Sequence, residues 1–262
     1  VAEGAITIGN IAEYIIYINM MTWPVASLGF VITMIQRASA SVQRLQRIQD
    51  RTPEIADGPH TDPSIQSLEG HIAFRDVWYQ YEDEDAPALR GVSFELPADR
   101  TLAVVGRTGS GKSTLMRMIP RLLDPDAGTV EIDGHDLRTL PLSTVRENMG
   151  YVPQDVFLFS DTVANNIAFG DLDASRDEIR RAAAEADLLD NVRDFPDGFD
   201  THVGERGITL SGGQKQRTSI ARALIRNPRV LVFDDALSAV DTATERNILR
   251  SLRQRQGSHT LV

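Results

Sequence analysis

Gly106-Arg107-Thr108-Gly109-Ser110-Gly111-Lys112-Ser113 sets glycines, a lysine and a hydroxyl at the spacing G-x-x-x-x-G-K-[ST], which is the spacing of a loop that wraps phosphate. Glycines let backbone N–H groups converge on phosphate oxygens, and a following helix N-terminus adds its positive end. Lys112 has the reach for β- and γ-phosphates, and the Ser113 hydroxyl is a hard oxygen donor suited to Mg²⁺. Gly106 to Thr114 are therefore candidate nucleotide-binding residues. A second oxygen donor for the metal is Asp234, which ends the apolar run Arg229-Val-Leu-Val-Phe-Asp234. Four apolar residues closing on a carboxylate read as a buried parallel strand delivering an acid to the site.

These groups need an α/β scaffold. Leu102 to Gly106 reads as a strand entering the loop, and Thr114 to Leu123 as the helix leaving it. His71 to Tyr81 and Gly91 to Leu96 are further β-rich runs. Arg176 to Leu189 and Gly213 to Ile225 carry a helical period and form a helical lobe. Thr260 to Val262 opens another strand, with His259 as a turn residue before it.

Leu210-Ser211-Gly212-Gly213-Gln214, 23 residues ahead of Asp234 counted from Ser211, resembles the signature of the ABC ATPases. Residue by residue, the resemblance extends over nearly the whole chain. It implies a P-loop NTPase fold with a β-rich ATP-binding subdomain and an α-helical signature subdomain, preceded by a transmembrane helix. It also implies ATP and Mg²⁺ as ligands. Tyr81 stands where the family stacks an aromatic ring on adenine, and Gln154 where it touches Mg²⁺ and senses the membrane domain. Ser238 to Asp241 is similar to the loop that communicates across the dimer. Ser211 to Gln214 make sense as a second phosphate surface only against a nucleotide held by another molecule, so the resemblance implies a second half-transporter as partner. Thr201 to Gly207 resembles a loop of exporters that meets the coupling helices. In the family the acid of the strand is followed by Glu as general base; here the next residue is Asp235, one methylene shorter. A base needs hydrogen-bond reach of about 2.6–3.2 Å to its water. Asp235 therefore implies slow hydrolysis and the weaker-site subunit of a heterodimer, with a homodimer that uses Asp235 as base the alternative. The switch histidine of the family would fall past residue 262.

Upstream, Tyr14 to Gln36 contains 23 residues and no charge, about 35 Å of helix at about 1.5 Å per residue and enough for a bilayer. Trp23, Asn19 and Tyr14/Tyr17 suggest a face that is not plain lipid. A buried core helix and a secretory signal are the competing readings. Glu13 precedes the run, while Arg37, Arg44, Arg47 and Arg51 follow it, which places the C-terminal side in the cytoplasm. The expected layout is residues 1–50 as the end of a membrane domain, 51–69 as linker and 70–262 as the nucleotide-binding domain. The resemblance implies the plasma (inner) membrane and a multi-pass whole protein. A net charge of −10 argues against nucleic acid as a partner, and the absence of cysteine removes disulfide, thiolate-zinc and cysteine-nucleophile chemistry. A non-transport ABC ATPase would need residues 14–36 to be a core helix, and a generic P-loop kinase or GTPase leaves Leu210 to Gln214 without a purpose.

Overall fold

The computed structural model of the chain describes residues 7–205, 209–254 and 260–262, in two units, residues 1–54 and 55–262. The first is one helix, α1 (Ile8–Gln49), opened by a capping box between Thr7 and Asn10. It is long and apolar enough to cross a membrane, and none of its residues is buried within this chain. Pro24 lies inside it and cannot donate to the carbonyl one turn back. The polar side chains along it turn inward: Asn19 donates to Ile15 O at 3.0 Å, Thr22 to Ile18 O at 2.8 Å, Ser27 to Pro24 O at 2.8 Å and Thr33 to Gly29 O at 2.9 Å. Asn19 thus places one donor of its amide within the helix and keeps its Oδ1 and second N–H for other partners. Tyr17 donates to Glu13 at 2.8 Å.

In the second unit, residues 55–69 run against the domain they precede. Leu68 is buried, and the Asp133 carboxylate takes the amides of Glu69, Gly70 and His71. They lead into β1 (Ile72–Tyr79) and β2 (Leu89–Leu96), after which come α2 (Lys112–Met118), β3 (Ala127–Ile132) and β4 (His135–Asp136). The four strands form an antiparallel sheet in the order β2-β1-β3-β4. Next come α3 (Leu142–Glu147), β5 (Met149–Val152), α4 (Val163–Ala168), α5 (Arg176–Glu185), α6 (Leu189–Asp194) and α7 (Gly212–Leu224). The last described elements are β6 (Val230–Phe233), α8 (Thr242–Gln254) and β7 (Thr260–Leu261). β5-β6-β7 is a parallel sheet.

β6 is buried on both faces, as a strand with helices on either side must be. Val230 and Val232 pack with Leu115, Met118 and Ile119 around α2 and with Ile72 and Phe74 of β1. Leu231 points the other way, into a second core with Ile167, Ala183, Ile220 and Leu224 of the helical part.

Three expected elements differ. Leu102 to Gly106 is not a strand: only Thr101 bridges Leu261, with the Leu102 amide donating to Leu261 O at 2.8 Å. The helix after the loop ends at Met118, because Arg121 turns left-handed at φ 50 and Leu122 N reaches back to Arg117 O at 2.9 Å, a six-to-one closure. The expected helix 176–189 breaks in the same way at Asp187, φ 54, where Leu188 N reaches Ala183 O at 2.9 Å.

One cation organises the helical part. Arg222 on α7 donates to Asn166 O at 2.8 Å, to Asn166 Oδ1 at 2.9 Å and to Phe157 O at 2.9 Å. Its guanidinium lies 5.7 Å from the ring centroids of both Phe159 and Phe169. Burial lowers its pKa to about 10, still charged at neutral pH. Replacing it with Met keeps the stem and removes the donors to the Asn166 and Phe157 carbonyls, while Asn166 Oδ1 keeps the Phe159 amide at 2.8 Å; hydrogen bonds to a charged group are worth about 1.5–3 kcal/mol each, and losses in such a network do not add. Arg222→Met is expected to destabilise the protein by about 3 kcal/mol, read from the midpoint shift in urea at unchanged m-value.

Candidate functional site

The loop before α2, the end of β6 and the turn after β1 meet around a cleft of about 890 Å³. Tyr81, Thr108, Gly109, Gly111 and the run Lys112 to Thr114 line it together with Gln154, Asp234 and Asp235. Residues that lie at four places in the sequence are thus brought together.

Glycine at 111 is a physical requirement. Its φ is +87, and a Cβ there would stand 2.5 Å from the carbonyl oxygen of Ala88. The loop can close only if that side chain is absent. Lys112 arches back so that Nζ donates to the carbonyls of Gly106 and Arg107, each at 2.9 Å, which holds the ammonium in the mouth of the loop. Ser110 N donates to Arg107 O at 3.2 Å. Gly106, Arg107 and Ser110 thus shape the loop without lining the cleft.

Ser113 Oγ donates to Asp234 Oδ1 at 2.9 Å. Asp234 is 6% exposed, and its amide donates to Val152 O at 2.9 Å, so the β5–β6 ladder carries it to the cleft floor. A hydroxyl and a carboxylate at this separation fit a hard divalent cation that draws its other ligands from phosphate and water, as Mg²⁺ does. Asp235 is exposed, with its backbone left-handed at φ 54. Its carbonyl accepts the Ser238 hydroxyl at 2.9 Å.

Tyr81 meets Tyr79 edge-on, with ring centroids 4.9 Å apart, and its hydroxyl lies 3.2 Å from Thr114 Oγ1. Behind it is a pair that sequence reading passes over. Burial works against the Arg117 guanidinium, yet the Tyr81 and Tyr151 hydroxyls outweigh it and hold its pKa above the ordinary value. The Tyr151 hydroxyl is pushed up, first by burial and then by the Asp234 charge, against the pull of Arg117. Arg117 sits one helical turn after Thr114, on the same face, and that spacing is the signal that points to it.

Ser211 to Gln214 do not line this cleft. Ser211 caps α7, and its box with Gln214 joins Gln214 N to Ser211 Oγ at 3.3 Å and Ser211 N to Gln214 Oε1 at 2.9 Å. Ser211 and Gly212 are exposed. The Asp241 carboxylate accepts the amides of Ala243 and Thr244, and its pKa is lowered, chiefly by the Thr244 amide. Of the segment Thr201 to Gly207, Arg206 and Gly207 lie outside the described residues. Val203 is buried and donates to Asp161 O at 2.8 Å. His259 also lies outside them.

A glycine-built loop with its lysine and serine, set against a strand-borne aspartate, defines the class of P-loop nucleotide-binding proteins. Residues 89–238 match the ABC transporter family, and the chain belongs to that family. It is 40% identical over 262 residues to the multidrug resistance-like ATP-binding protein MdlA of Escherichia coli, covering 100% of this chain and 44% of that protein. To the ATP-dependent lipid A-core flippase of Photobacterium profundum it is 43% identical over 240 residues, which is 91% of this chain and 40% of the relative. A bacterial Atm1-family ABC exporter solved with ATP bound superposes with a TM-score of 0.80 at 38% identity, over 100% of this chain and 45% of that one. The chain thus spans less than half the length of these relatives.

The loop geometry makes its own prediction. Gly111→Ala puts a Cβ in the left-handed region against a backbone oxygen and is expected to cost more than about 2 kcal/mol in thermal or urea unfolding.

Proposed function

We propose that this chain binds and hydrolyses ATP as part of an ABC exporter, and that its own site is the slower of two. The observation that carries the reading is the Ser113–Asp234 contact of 2.9 Å in the same cleft as Lys112. Phosphate oxygens are better acceptors than the carbonyls that Lys112 now bonds, because the resulting hydrogen bonds are charge-assisted on both sides. The ammonium therefore swings to the nucleotide at little cost. Ser113 and Asp234 are the residues that would hold Mg²⁺, which supplies charge neutralisation at the phosphates when bound. Tyr81 offers its ring to the base, and Gln154 stands exposed on the cleft where it can meet the nucleotide and the membrane part.

Asp235 is the base of this site. Its carboxylate is one bond nearer the backbone than glutamate's, so the water it must polarise lies at the edge of hydrogen-bond reach. Ser211 to Gln214 face outward and complete the site of a second half-transporter, and a partner bearing Glu after its own strand acid carries most of the turnover. Helix α1 is the last membrane span of this half, with Arg37, Arg44, Arg47 and Arg51 on the cytoplasmic side. The ATP-binding domain follows them into the cytoplasm of a plasma-membrane protein.

In the full-length protein, Lys112→Ala is expected to weaken ATP binding at this site at least about tenfold, about 1.4 kcal/mol, in a fluorescent-nucleotide titration. Asp235→Glu raises single-site hydrolysis several-fold, and Glu→Gln at the partner's base abolishes most turnover. Full turnover by this protein alone, lost on Asp235→Asn, would instead establish a homodimer with Asp235 as a competent base.

A further inference from the structure

We infer that Gln216 is a positioning residue that ties the outward-facing signature turn of this chain to the backbone of its own base, Asp235. The inference rests on the two-site reading above. Gln216 lies on α7 and is 6% exposed. Its Oε1 accepts the Ala239 amide at 3.0 Å, and its Nε2 donates to Ser238 Oγ at 3.2 Å. Ser238 Oγ donates in turn to the Asp235 carbonyl at 2.9 Å, which also accepts the Ser238 amide at 3.3 Å. The carboxamide gives one hydrogen bond and takes another through neighbouring atoms, so it reads Ser238 and Ala239 as a pair. Neither Glu, without the donor, nor Met, without both, can do the same.

The contact has little slack. A Cβ on Gly213 would stand 2.9 Å from the Ala239 carbonyl oxygen, so the signature turn and the 238–241 loop already touch backbone to backbone. The far end of the loop is pinned where Asp241 caps α8 through the Ala243 and Thr244 amides. At the near end Asp235 is held at φ 54, a sparsely populated region for a residue with a side chain. Movement of the signature turn onto a partner's nucleotide is therefore passed through Gln216 and Ser238 to the residue that holds this chain's water. Closely packed elements of this kind shift between discrete arrangements rather than deforming gradually.

The test uses the full-length protein with its partner half in lipid nanodiscs, the partner's base changed Glu→Gln so that the turnover read is this chain's own. Four quantities are read: ATP affinity, kcat, the Hill coefficient for ATP and the unfolding midpoint. Gln216→Met and Ser238→Ala are each expected to leave ATP affinity within about twofold, to lower kcat about tenfold and to bring the Hill coefficient down to about 1. The double variant loses no more than either single one, because both cut the same chain of bonds. Ser238→Thr, which keeps the hydroxyl, retains the wild-type values. Should Gln216→Met fail to fold, the exposed Ser238 decides through its Ala and Thr variants. A wild-type protein without cooperativity, unchanged kcat in the variants, or additive losses that follow the unfolding midpoint overturns the inference. Lys112→Ala is the control: persistent hydrolysis there sinks the ATP-site reading itself, whereas its loss beside an unaffected Ser238→Ala sinks only the coupling.

Discussion

A single hydrogen bond, from the Ser113 hydroxyl to the Asp234 carboxylate, joins segments 121 residues apart, and the arrangement of the domain follows from making it. Asp234 must be delivered by a buried strand, because a loop could not hold a nearly dry carboxylate in place. β6 therefore needs apolar residues on both faces, and each face needs a cover. Val230 and Val232 take the antiparallel sheet and α2, while Leu231 takes the helices. The two cores are the two sides of the strand that carries the acid. Ser113 in turn can reach Asp234 only because Gly111 lets the loop close against Ala88.

The parts of the site that could be read from the sequence are those whose chemistry is local. A loop cradling phosphate is one continuous stretch, so Gly106 to Thr114 declare themselves, and a capped helix start such as Ser211 with Gln214 does likewise. What remained hidden depends on tertiary pairing. Leu102 to Gly106 has the composition of a strand, but a strand is defined by its neighbour, and here only Thr101 finds one. The breaks at Arg121 and Asp187 are left-handed turns by residues other than glycine, which carry no glycine to announce them. Gln216 looks like any polar residue on a helix until Ala239 and Ser238 arrive from 22 or 23 residues further along.

The two units differ in how far their polar groups reach. In the globular unit local and distant bonds combine, as at Asn166, which pairs with Phe159 and Thr162 nearby and with Arg222 from 56 residues away. Along α1 the Asn19 amide and the hydroxyls of Thr22, Ser27 and Thr33 donate within one turn to their own backbone. Local closure lets a helix accept polar residues where the surroundings offer no partner.

Asp235 combines the shorter carboxylate with a left-handed backbone. Aspartate and asparagine enter that region more readily than other residues with side chains. The short acid is thus the more comfortable occupant of this turn, and a longer one would gain reach at the expense of local conformational ease. Rate and stability pull on this position in opposite directions. On the proposed two-site reading, a subunit relieved of most of the chemistry can settle on the side of stability, and the strained, faster solution falls to its counterpart.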